Sequence, residues 1–62
     1  MQFKVFFNKA AKSYSTLPSN DKNIDSYEKS YQCIAQFYAQ DEDAANTRAT
    51  ETIDRHKRQH RI

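Results

Sequence analysis

Apolar residues recur at three- and four-residue intervals through the first third of the chain. Phe3, Phe6, Phe7, Ala10, Tyr14 and Leu17 fall along one stripe of a helix, with Lys4, Lys9 and Lys12 largely off it. The spacing predicts a first helix from about residue 2 to 16. A competing reading takes Gln2 to Phe7 as a strand, because Phe and Val favour strands, and starts the helix after Asn8. A lone strand cannot bury itself, and no alternating or β-branched run comes after it, so on that reading the partner strands come from another chain.

Residues 17–23, Leu-Pro-Ser-Asn-Asp-Lys-Asn, form the one clear break, since proline disfavours helical geometry in the residue before it. Ser19, Asn23 or Asp25 can cap the next helix, and Asp25-x-x-Glu28 has capping-box spacing. Past the break, Ile24, Tyr27, Tyr31, Ile34 and Tyr38 repeat at a/d-like intervals, widened by Cys33, Ala35 and Phe37. The pattern thins at Asp41-Glu42-Asp43 and resumes as Ala45, Ala49 and Ile53. This fits either one helix over about 24–58 or a third helix over about 42–58 capped by Asp41. Residues 59–62 are expected to fray.

These elements predict a single all-α domain over residues 1–62, a helical hairpin with Phe3 to Thr16 packed on Ile24 onward. A domain of this length buries only roughly 60% of the surface its unfolded chain exposes, and small folds recover the deficit with disulfides, metals or oligomerisation. Cys33 is the sole cysteine, so no intrachain disulfide can form. Oligomerisation is the route left. Two hairpins pairing into a dimeric bundle would place Phe3, Phe6, Phe7, Tyr14, Tyr27, Tyr31, Ile34 and Tyr38 at the interface. Glycine is absent, which removes the residue that phosphate loops and primed hairpin turns use and favours a helical build.

The apolar start ends at Asn8-Lys9, too short for a signal-peptide core or a membrane span, so a cytoplasmic protein without membrane contact is expected. His56 and His60 stand one helical turn apart, the spacing of two zinc ligands, but a closed site needs further ligands, Cys33 lies far off in sequence, and no Glu follows His56 as a zincin motif demands. Asp41-Glu42-Asp43 lacks the later residues of a calcium loop. Cys33 beside Ile34 and Phe37 reads as a small hydrophobe, not a nucleophile. No catalytic, cofactor or metal site is expected.

Charge is segregated along the chain. Residues 1–40 carry five lysines against three acids, residues 41–54 five acids against Arg48, and residues 55–62 only the cations Arg55, Lys57, Arg58 and Arg61. Clustered Arg and Lys gain affinity for nucleic acid through counterion release. The same cations also suit a helix C-terminus, where they complement the dipole.

The opening, Phe3-Lys4-Val5-Phe6-Phe7-Asn8-Lys9-Ala10-Ala11-Lys12 and then Leu17-Pro18, resembles the start of the RelE/ParE toxins. That resemblance implies a first strand running into a helix that ends near Leu-Pro, and a ribonuclease or gyrase-directed activity. The remainder departs from those toxins, whose later strands carry their basic functional residues, so no site residue is carried over.

Three classes of function are compatible with these residues. The first is a non-enzymatic interaction or regulatory protein acting by self-association and protein–protein binding, similar in size and style to accessory proteins of phages and mobile elements. The second is a nucleic-acid-binding regulator using Arg55, Lys57, Arg58 and Arg61. The third is a RelE/ParE-like toxin fragment.

Overall fold

The computed structural model describes residues 1–59, and it is α+β, not all-α. In chain order it comprises β1 (Gln2–Asn8), β2 (Ser13–Pro18), α1 (Ile24–Ser30), β3 (Gln32–Tyr38) and α2 (Glu42–Gln59). The strands form one antiparallel sheet in the order β2-β1-β3.

The predicted first helix is instead a β-hairpin. Asn8 pairs with Ser13 and Phe3 with Pro18, so the proline sits at the end of an edge strand, where its missing N–H costs no ladder bond. The turn 9–12 is built without glycine: the Asn8 side-chain oxygen accepts from the Ala11 N–H at 3.1 Å, and Lys12 takes the left-handed conformation at φ 54°. The strand reading of Gln2 to Phe7 holds for β1, but its partner strands come from the same chain.

The long helix predicted from Ile24 stops after about two turns, at Ser30. Tyr31 leaves it in extended geometry, its N–H still bonded to the Tyr27 carbonyl at 2.8 Å, and β3 begins at the next residue. The capping box is not formed. Asn23 is the N-cap without a side-chain bond, and the Glu28 carboxylate goes to Lys4 instead.

A register shift lies opposite Val5 and Phe6: Val5 faces Ala35, Phe6 faces Cys33, and Ile34 is the extra residue of a β-bulge. Ile34 and Ala35 consequently share the side that looks onto Thr52 and His56 of α2.

The break near residue 41 and the third helix are as one of the two sequence readings has them. The Asp41 carboxylate accepts from the Ala44 N–H at 2.9 Å, with Glu42 and Asp43 in the first turn. Helix α2 lies on the sheet face that carries Phe3, and its buried positions are Ala45 and Ala49, small enough to let the helix approach the strands. Phe3, Val5, Phe6, Ala45 and Ala49 form the core, each at most 3% exposed. Phe3 and Val5 point to the α2 side; Phe6 points the other way and is covered by Tyr27, ring centroids 5.6 Å apart.

Candidate functional site: a basic end built from three elements

The chain path decides which charges meet. Strand β1 runs towards the turn 9–12, β2 returns, α1 runs out again, β3 returns from Gln32 beside Phe7 to Tyr38 beside Gln2, and α2 runs out once more. Both helices therefore end where the hairpin turns. Lys9 and Lys12 of the turn, Lys29 in the last turn of α1, and Lys57 and Arg58 in the last turn of α2 collect at one end of the molecule, with Arg55 just before them. Asp21, next to the end of β2, and Asp41, Glu42 and Asp43, next to the end of β3, lie at the opposite end.

A ring cluster fixes α2 on the hairpin. The Tyr14 hydroxyl and His56 Nδ1 are 2.8 Å apart, Phe7 lies 4.9 Å from the Tyr14 ring and 4.8 Å from the His56 ring, and Lys57 Nζ stands 5.7 Å over Tyr14. The cluster depends on β1–β2 pairing, which sets Phe7 opposite Tyr14. Because His56 is tied inward, Arg55, Lys57 and Arg58 are left exposed. The groups Glu51, Asp54, Arg55 and Arg58 share a shallow exposed recess, so two of the cations have acidic neighbours on their own helix.

Of the residues expected at a dimer seam, Phe3 and Phe6 are buried by their own chain, and Phe7, Tyr14, Tyr27, Tyr31 and Ile34 are half-covered by it. Only Tyr38 is largely free, at 74% exposed. They cannot form one helical stripe, since Phe3 and Phe7 face α2 and Phe6 faces α1. Cys33 is exposed, not part of an apolar core, because the bulge turns it away from the α2 face.

Arg61, His60 and Ile62 lie outside the described residues, so the expected His56 and His60 pair and the Arg61 contact do too. Among the described residues no group of three or more His, Cys, Asp or Glu stands together as a metal site, and no helix is long and apolar enough to cross a membrane.

Sequence reading found Arg55, Lys57 and Arg58 but missed Lys9, Lys12 and Lys29, which join them only through the hairpin and the short α1. The signal present in the sequence was Asn8-Lys9-Ala10-Ala11-Lys12 between two runs able to form strands, four turn residues with an Asn to close them.

No protein-family model, no curated protein and no solved structure matches this chain.

Proposed function

We propose that the protein is a non-catalytic nucleic-acid-binding protein whose basic end grips the phosphate backbone. The observation that carries this reading is the convergence of Lys9 and Lys12 with Lys29, Lys57 and Arg58, drawn from three separate elements, while the acidic run 41–43 sits at the far end. Cations gathered at one end raise the field there, so a small net charge of +2 understates it.

Fluorescence anisotropy with a labelled oligonucleotide at low and moderate salt tests it. Affinity should fall with added salt, with a logarithmic slope of roughly 0.7 for each cation engaged on a single strand. Replacing Lys12, Lys57 and Arg58 together by Glu should abolish binding, whereas Lys22→Glu, near the other end, should not. Equal binding by the triple variant would sink the reading.

One observation favours a second reading, association with a second copy. Tyr38 is 74% exposed at the end of β3, opposite Gln2 and on the sheet face away from α2. Sedimentation of the wild type against Tyr38→Ala decides it: an oligomer that the substitution dissolves supports this surface, and a monomer in both cases removes it.

A further inference from the structure

On the sheet face away from α2, the short helix α1 and the edge strand β2 leave a cup of about 160 Å³, open to solvent. Phe6 lies at its base, Tyr27 and Tyr31 on one side, Ser13 and Ser15 on the other, and Asn8 at the hairpin end. The two tyrosine rings stand 5.2 Å apart, tilted at 59°.

Its polar groups have little else to do. The Asn8 side-chain oxygen is taken by the Ala11 N–H, which leaves its NH₂ as donor. The hydroxyls of Ser13, Ser15, Tyr27 and Tyr31 find no hydrogen-bond partner among the described residues. Donors and acceptors therefore converge on a space with an aromatic wall. Lysine stands at its hairpin end, because Lys9 is next to Asn8 and Lys12 precedes Ser13, whereas Lys29, two residues from each tyrosine, lies across the helix from them. Of the two acids on this helix, Glu28 is held by Lys4 on the strand, and Asp25 stands in the first turn, away from the hairpin end.

We propose that this cup takes one unpaired nucleobase of a single-stranded nucleic acid whose phosphates run across Lys9 and Lys12. The proposal rests on the phosphate-binding reading of the basic end and makes it specific: a flat heterocycle stacks on Tyr31 or Tyr27, and Ser13, Ser15 and Asn8 meet its polar edge. A base paired in a duplex cannot enter. A polyanion without bases has nothing to put there. The other ring cluster, Phe7, Tyr14 and His56, offers no equivalent platform, since Lys57 and the neighbouring rings already cover Tyr14.

The test titrates the full chain with oligothymidine and oligouridine of about a dozen nucleotides, within the range one small binding fold covers, with a duplex, and with inorganic polyphosphate. The chain has four tyrosines and no tryptophan, so its intrinsic emission reports stacking directly. Single strands should bind more tightly than duplex and quench tyrosine emission, while polyphosphate binds without quenching. Tyr31→Ala should weaken single-strand binding about tenfold, within the 1–3 kcal/mol that base stacking on an aromatic contributes, and leave polyphosphate binding unchanged. Ser13→Trp, an exposed edge-strand position, blocks the cup without touching the core and should do the same. The two single strands separate DNA from RNA preference.

Equal affinity for single strand and duplex, or unchanged single-strand binding in both variants, overturns the cup while the basic end stands. Failure to bind any of the four polyanions overturns both.

Discussion

On the α2 side of the sheet, Phe3 and Val5 are sealed by a helix whose inward positions are Ala45 and Ala49, with Thr52, Ile53 and His56 continuing the half-buried line. On the α1 side, Phe6 lies under a seven-residue helix with no buried residue of its own, and two tyrosines do the covering. The first face is closed by small side chains at helical spacing along a helix of 18 residues. The second is closed by amphipathic rings that keep their hydroxyls in water. A chain this short has apolar material for one dry face, and it concentrates that material where the longer helix can lie on it. The other face keeps enough cover for one phenylalanine and leaves a polar cup open beside it.

Substitutions on either side should separate the two faces. Phe3→Ala carries the largest expected effect, about 3–5 kcal/mol for a fully buried ring. That is comparable with the whole stability of a core this small, about 3–5 kcal/mol. Circular dichroism at 25 °C should show no cooperative melt. A folded variant melting only a few degrees lower would mean that the α2 face does not carry the fold. Tyr27→Ala should cost about 1–2 kcal/mol, from partial burial and one ring pair, and keep a cooperative transition lowered by roughly 4–8 °C per kcal/mol. If it unfolds the chain as completely as Phe3→Ala, the two faces are equivalent and the comparison fails.

The smallest effect is electrostatic. The Lys4 ammonium is held above its ordinary value of 10.5 by its hydrogen bond to the Glu28 carboxylate. A raised folded-state pKa means that the pair's contribution is complete below pH 10.5 and fades as pH climbs through the raised value. Both groups meet solvent, so Glu28→Gln should barely move the melting temperature at neutral pH. Whatever difference exists between the two proteins should close above pH 10.5. A gap that widens there instead would assign the pair a different role.

The sequence carries some of this plainly and hides the rest behind one irregularity. Helix α2 was legible because Asp41, the acidic first turn and the Ala45, Ala49 and Ile53 spacing agree with one another. Strand β1 was legible as an alternative, since Phe and Val in a row favour a pleated surface. Strand β3 was not, and the bulge is the reason: Ile34 and Ala35 point the same way, which shifts the two-residue alternation and leaves Ile34, Phe37 and Tyr38 at intervals that imitate a helix. Strand β2 was hidden differently, because Tyr14, Thr16 and Pro18 alternate with Ser13, Ser15 and Leu17, so neither face is uniformly apolar. Half of the basic end went out of sight with those two strands. Arg55, Lys57 and Arg58 could be read as a cluster, but Lys9, Lys12 and Lys29 become their neighbours only when the chain reverses at the hairpin and again at Tyr31.

The separation of charge along the molecule has a mechanical consequence. Asp41, Glu42 and Asp43 at one end and Lys9, Lys12, Lys29, Lys57 and Arg58 at the other make the chain an electric dipole, which Lys22 at the acidic end and Glu51 and Asp54 near the basic end reduce. In the field of any polyanion such a body feels a torque before it feels a contact, so it arrives hairpin first instead of searching all orientations.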